Sequence, residues 1–229
     1  MKKIFRIVGV VAVVGLIVGS LIAASFVKPS TRDKVWDEAT TMGSLDAANH
    51  FVVYSDIVCP YCVAFENAIL EHEEEFQRYI ADNDILFEVR MADFLYEYGE
   101  SRSLASRYSA AATYCAKDDG KFWDYYSLAI RTVWEKYFKH GGKAAFTELS
   151  ALDEDFWIGL GEEVGLGDKF ANCVKNGDET SELEKTAAKM AKVAKGMPYF
   201  KFNNYATSGF DLSWGWEYVL MYFDAGLKS

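Results

Sequence analysis

The hydrophobic pattern of the chain falls into three regimes. Residues 7–27 form an uncharged apolar run, preceded by Lys2, Lys3 and Arg6. That run is long enough to span a bilayer as a helix. Residues 28–48 are polar, with Pro29, Ser30, Thr31 and Gly43, and read as a tether. From residue 49 onward, short β-type runs and longer helical ones follow one another. Phe51-Val52-Val53-Tyr54 has the composition of a buried strand, predicted over 50–58. Phe65, Ile69, Phe76 and Ile80 recur at helical spacing and predict a helix over 61–83. Within it, Glu71, Glu73, Glu74 and Glu75 read as a solvated face. Ile85-Leu86-Phe87-Glu88-Val89-Arg90-Met91 predicts a second strand.

Past Gly99 the periodicity is helical through residue 195. Helices are predicted over 103–117, 121–138, 153–164, 169–175 and 179–195. Asp153, Glu154 and Asp155 supply the charge that suits a helix N-terminus. The helical pattern stops at Gly196-Met197-Pro198. Tyr199-Phe200-Lys201-Phe202 then alternates as a strand does, and Asn203-Asn204 is a turn pair. Trp214, Tyr218, Met221, Tyr222 and Ala225 mark a terminal helix over 213–225. The order is strand–helix–strand, a run of helices, then strand–helix. No internal repeat or low-complexity tract interrupts it.

Charge and length sharpen this picture. The basic residues before the apolar run argue for an inside N-terminus and an exported C-terminal domain. The run also has the layout of a signal peptide, with small residues Ala23, Ala24 and Ser25 at its end. Signal cores are usually shorter, about 7–15 residues, so we read 1–27 as an uncleaved signal anchor. Setting aside Lys2, Lys3 and Arg6 leaves 21 basic against 34 acidic residues, a net charge of −13. That balance excludes nucleic acid as a partner. The remaining 49–229 suffices for one domain with a full core. The four cysteines fit export, because disulfides persist in oxidising compartments.

The chemistry is concentrated in Cys59-Pro60-Tyr61-Cys62, directly after the first strand. The two thiols fall at a strand-to-helix junction, with Cys59 nearer the helix N-terminus. Unpaired backbone N–H groups and the positive end of the helix dipole favour an anionic sulfur there. The thiolate is the form that attacks disulfides. We read the pair as a thiol–disulfide redox centre. A zinc site would need a second ligand pair at a recognisable spacing. Cys115 and Cys173 are isolated, and His50, His72 and His140 are scattered, so we assign no metal. Asp56, three residues before Cys59, either tunes the thiols or is an ordinary loop residue; we read the latter.

Four segments, in order, resemble the DsbA-like thiol–disulfide oxidoreductases of the thioredoxin superfamily. The first is Tyr54-Ser55-Asp56-Ile57-Val58-Cys59-Pro60-Tyr61-Cys62. The second is Ala110-Ala111-Ala112-Thr113-Tyr114-Cys115-Ala116 with Gly120-Lys121-Phe122-Trp123-Asp124-Tyr125-Tyr126, similar to the subgroup with an extra disulfide. Lys169-Phe170-Ala171-Asn172-Cys173-Val174 and Gly196-Met197-Pro198 complete the set. The resemblance implies an α/β thioredoxin fold with an inserted α-helical subdomain at about 100–195, here preceded by an N-terminal transmembrane helix. It implies that Pro198 is cis beside the cysteine pair, that Pro60, Tyr61 and Met197 support the site, and that Cys115 and Cys173 form a structural disulfide. Pro-Tyr replaces the Pro-His of the strongest oxidases, and Met197 stands where valine or threonine is common.

The function so implied is that of a protein-disulfide oxidoreductase without a cofactor. Cys59 exchanges with the substrate and Cys62 resolves the mixed disulfide. The substrates are reduced exported polypeptides, and a membrane redox partner, quinone-linked by family analogy, reoxidises the pair. The catalytic domain is extracytoplasmic, at the cell surface or in the periplasm. Two other functions use the same residues. One is an extracytoplasmic reductase or isomerase. The other is a membrane-tethered client- or metal-binding module on a thioredoxin fold.

Overall fold

The computed structural model describes residues 33–97, 103–139, 147–149 and 151–229. The anchor read over 1–27 lies outside them, as does the start of the tether. Among the described residues, no helix is long and apolar enough to cross a membrane.

Five strands make one sheet. β1 (Thr41–Met42), β2 (Asn49–Ser55), β3 (Ile85–Met91), β4 (Tyr199–Phe202) and β5 (Tyr205–Ser208) lie in the order β1-β3-β2-β4-β5. β2 and β3 are parallel, with Asn49 opposite Ile85 and Ser55 opposite Met91. A parallel pair needs a crossover, and α1 (Pro60–Glu71) with α2 (Glu73–Asp82) provides it. The single helix expected over 61–83 is broken at His72, where the backbone leaves helical geometry at φ −120° and ψ 32°. Glu73, Glu74 and Glu75 therefore fill the first turn of α2. They remain exposed, as the solvated-face reading expects, and they also suit the positive end of its dipole.

β4 returns antiparallel to β2, with Tyr199 opposite Tyr54 and Phe202 opposite Phe51. β5 pairs with β4 and is absent from the sequence reading. Tyr205-Ala206-Thr207-Ser208 is an edge segment of half-exposed residues, so it lacks the apolar signal of a core strand. Between β3 and β4 the described chain is helical: α3 (Phe94–Glu97), α4 (Leu104–Lys117), α5 (Phe122–Val133), α6 (Glu154–Glu163), α7 (Asp168–Asn176) and α8 (Thr180–Val193). Ser103 caps α4 by accepting from the Ser106 amide, and Asp153 caps α6 by accepting from the Phe156 amide. α5 runs on into a π-helical turn, Trp134–Phe138. α9 (Trp216–Leu227) closes the fold. It begins later than 213, because Asp211 accepts from both the amide and the hydroxyl of Ser213 and holds that segment as a turn.

The two faces of the sheet differ in chemistry. On one, Phe51, Val53, Phe87 and Val89 pack under α1 and α9, with Phe51 stacked on Phe223 at 3.9 Å. On the other, Glu88 and Arg90 are buried together. Arg90 donates to both Glu88 oxygens at 2.9 and 2.8 Å and to the Tyr54 hydroxyl at 2.7 Å. Such a pair tolerates burial only when its remaining donors and acceptors are occupied. Residues 33–36 do this. The Lys34 carbonyl accepts from Arg90, the Trp36 amide donates to Glu88, and the Trp36 ring lies 4.0 Å from the guanidinium. The tether read over 28–48 therefore needs correction from residue 33 on. That part is packed against the sheet and carries β1, a two-residue strand too short to show as a pattern.

Gly226 in α9 sits where a Cβ would fall 1.8 Å from the Phe202 ring. Gly226→Ala is expected to lose about 1–3 kcal/mol of stability by urea denaturation, from overpacking. Gly196→Ala, whose Cβ meets open space, should stay within about 0.5 kcal/mol.

Candidate active site

β2 ends at Ser55, and the chain turns through Asp56 and Ile57 into the Cys59 motif. The turn is held by one side chain. The Asp56 carboxylate accepts from the Val58 amide at 2.9 Å, the Leu95 amide at 2.9 Å and the Ser106 hydroxyl at 2.7 Å. Its backbone carbonyl accepts from the Cys59 amide at 2.9 Å. Asp56 is fully buried, and burial raises its pKa to about 6 against the pull of these hydrogen bonds. It is thus the anchor between the motif, α3 and α4, which the reading as an ordinary loop residue did not foresee.

Cys59 is the N-cap residue of α1, and Pro60 occupies its first turn. Proline suits that position, since its missing N–H has no helical partner there. The Cys59 carbonyl accepts from the Val63 amide at 3.1 Å. Both thiols are free. Cys59 keeps 5 % of its surface exposed and Cys62 none, while Tyr61 between them is 45 % exposed. The ring of Tyr61 therefore faces outward beside a nearly closed pair. Burial pushes the Cys62 thiol well above the ordinary cysteine value, and its hydrogen bond with Cys59 adds to the rise.

The Met197–Pro198 peptide is cis. Met197 packs in one apolar cluster with Cys59, Cys62, Val52, Tyr54 and Ala92, joined by Met190 from α8. Pro198 is buried, and its carbonyl accepts from the Gly209 amide at 2.8 Å. The fold thus brings 59–62 and 197–198 together across about 140 residues of chain, through the β2–β4 pairing. Cys115 of α4 and Cys173 of α7 are joined in a disulfide, with 5.9 Å between their Cα atoms and a sequence separation of 58. It lies inside the helical insert, apart from the Cys59–Cys62 pair.

A second buried acid lies close by. Glu66 follows Cys62 by one turn of α1, and it is fully enclosed. Ser55 from β2 and Tyr126 from α5 face it and hold its carboxyl down, whereas burial and the Asp56 charge raise it to about 8. Among the described residues, neither Glu66 oxygen closes a hydrogen bond of normal geometry, and neither does the Ser55 or Tyr126 hydroxyl. Sequence reasoning missed this group. The signal was available: Glu66 lies in Val63-Ala64-Phe65-Glu66-Asn67-Ala68-Ile69, an acid inside an apolar helix face.

With this geometry in hand, comparison with known proteins is direct. A family model described as thioredoxin matches residues 37–205. The chain belongs to the thioredoxin family. Solved structures share the fold at low identity. BdbD from Bacillus subtilis in its oxidised form is 18 % identical with a TM-score of 0.59, covering 83 % of this chain and 93 % of its own. A thioredoxin-like oxidoreductase from Silicibacter pomeroyi is 19 % identical with a TM-score of 0.57, covering 84 % and 95 %. The alpha-DsbA1 of Wolbachia pipientis is 12 % identical with a TM-score of 0.60, covering 87 % and 96 %. No curated protein matches the sequence significantly. The expected thioredoxin fold with a helical insert is therefore present.

Two outcomes follow from this geometry. The raised Glu66 carboxyl keeps its proton in the folded chain up to about pH 8, while an unfolded glutamate loses it near 4.3. Native-state stability from this group is complete below pH 4.3 and is lost as pH rises towards 8. Glu66→Gln removes that dependence, so urea titrations should show the variant gaining on the wild type by up to about 1.4 kcal/mol per pH unit across this window. Replacing Cys115 and Cys173 together by alanine opens a long loop and should lower stability by about 2–5 kcal/mol in the same assay.

Proposed function

We propose that this chain is a protein-disulfide oxidoreductase that introduces disulfide bonds into exported polypeptides. The observation that carries the reading is the Cys59–Cys62 pair at the start of α1, one thiol capping the helix and the other sealed beneath it, beside Met197 and cis-Pro198. The Cys115–Cys173 disulfide supports an oxidising compartment. So does the apolar run 7–27 behind Lys2, Lys3 and Arg6, which we take as the membrane anchor.

The mechanism uses two exchanges. A substrate thiolate attacks Cys59 of the oxidised pair. The Cys59–Cys62 bond breaks and a mixed disulfide forms. A second substrate thiolate attacks the substrate sulfur of that mixed disulfide, and Cys59 leaves. The substrate has then lost two electrons, and the pair is reduced. A membrane redox partner, quinone-linked by analogy, takes those electrons through the reverse sequence at Cys59 and Cys62. Tyr61, exposed beside the motif, and Met197, packed against both cysteines, flank the site where the substrate segment enters.

Two measurements on the full-length chain test this. Equilibration with glutathione buffers should place the pair near −120 mV, the oxidising end of the superfamily; a value near −270 mV would make the protein a reductase instead. Cys62→Ser, lacking the resolving thiol, should accumulate mixed disulfides with disulfide-bonded substrate peptides on non-reducing gels, the displaced peptide sulfur leaving as a thiolate. Cys59→Ser should form none, and its retention of oxidase activity would overturn the assignment of roles.

A further inference from the structure

Acidic side chains outnumber basic ones along this chain, 34 to 24. One stretch breaks that balance. Between Glu184 and Asp211 there is no aspartate or glutamate, while Lys185, Lys189, Lys192, Lys195 and Lys201 all fall there. The same stretch contains cis-Pro198 and Met197, and Met197 packs in the cluster that holds both cysteines.

The fold sets these lysines in order. In α8, Leu183, Thr186 and Met190 are buried, and Met190 reaches the cysteine cluster. At 3.6 residues per turn, Lys185, Lys189 and Lys192 share an outer face. Lys185 and Lys192 are exposed, and so is Lys195, two residues past the end of α8 and two before Met197. Glu182 pairs with Lys185, and Asp33 lies 3.8 Å from Lys189 and also pairs with Lys201. Lys189 stands over the Trp36 and Tyr54 rings at 4.8 and 5.7 Å. Among the described residues, Lys192 and Lys195 have no acidic partner. The helix dipole accounts for Lys192, in the last turn of α8. It does not reach Lys195, which lies beyond the helix beside the redox site.

We propose that this lysine stripe, ending at Lys192 and Lys195 beside Met197, selects substrates whose cysteines are flanked by acidic residues. The proposal rests on the oxidoreductase reading and names the substrate class of that site. A segment that enters beside Met197 passes Lys195, two residues away in the chain. Lys192 and Lys195 break no ion pair when they meet its carboxylates. α3 packs against the same cluster through Phe94 and Leu95, and the acids there, Asp93 and Glu97, are both paired with Arg107. With Lys2, Lys3 and Arg6 set aside the net charge is −13, so an acidic polypeptide is repelled by most of the domain and attracted at the stripe. Such fields raise encounter rates by about 10–1000-fold, and charges at the rim of a site act mainly on association and its salt dependence.

The experiment measures the second-order rate constant for single-turnover oxidation of three dithiol peptides by the oxidised full-length chain. Their cysteines are flanked by glutamate, serine or lysine. Each peptide is compared between the wild type and the double variant Lys192→Glu, Lys195→Glu, so that the peptide's own thiol chemistry cancels. At low ionic strength the double variant should lose about tenfold on the glutamate peptide, match the wild type on the serine peptide and gain on the lysine peptide. Salt at about 1 M, where the Debye length is about 3 Å, should erase these differences. The pair Lys192→Arg, Lys195→Arg keeps the charge and should behave as the wild type. An equal loss on all three peptides would overturn the proposal and mark a structural role. Unchanged rates on all three would also overturn it, and a loss of binding to phosphatidylglycerol vesicles in the same variant would then make the stripe a lipid-facing surface instead. In the wild type alone, added salt should slow the glutamate peptide and speed the lysine peptide; the same salt dependence for both would overturn the proposal without any variant. A wild type that oxidises none of the three peptides would overturn the oxidoreductase reading, and the proposal with it.

Discussion

The Asp56 carboxylate is the joint on which the site depends. It accepts from Val58 in the motif loop, from Leu95 at the start of α3 and from Ser106 in the first turn of α4. Its carbonyl holds the Cys59 amide. One buried side chain thus ties the strand–loop–helix unit carrying the cysteines to the helical insert. Hydrogen bonds to a charged acceptor are about twice as strong as neutral ones, and these three offset part of the cost of enclosing the charge, burial still raising the carboxyl to about 6. Protonation near pH 6 takes the charge from these hydrogen bonds and so weakens them.

The cysteine pair takes its asymmetry from this loop. Cys59 ends up as the cap of α1, at the positive end of its dipole. Cys62, a turn later, is enclosed by Val52, Tyr54, Ala92, Met190 and Met197. The two sulfurs share a hydrogen bond while standing in different dielectric surroundings. A neutral thiol is stable in the enclosed position and an anion is not. That difference sets the two sulfurs apart chemically, one near the surface at a helix end and the other sealed in an apolar cluster.

The opposite face of the sheet solves a different problem. Glu88 and Arg90 lie buried on β3, and His50 Nε2 stands 2.8 Å from Glu88 Oε2. The chain closes this pocket with residues 33–36, which bring Trp36 over Arg90 and its amide to Glu88. Asp33 reaches further, accepting from Lys201 of β4. A segment that precedes the first core strand is thereby made part of the domain. Its docking depends on two charges whose hydrogen-bonding capacity the sheet alone does not fill.

What was legible in the sequence is what short-range pattern encodes. β2, β3 and β4 carry dense apolar runs, the helices of the insert carry 3.6-residue periodicity and capping residues, and the Cys59–Cys62 motif marks the chemistry by its place between strand and helix. The chain order of the segments matched the thioredoxin architecture with an insert. What only the tertiary structure decided depends on burial and long-range pairing. The break at His72, the edge strand β5 and the two-residue β1 carry too few apolar positions to register in a window. Asp56 and Glu66 read as ordinary polar residues, because a carboxyl's role follows from how much water reaches it. The approach of Met197 and Pro198 to the cysteines comes from the pairing of β4 with β2, and no local run of residues specifies that contact.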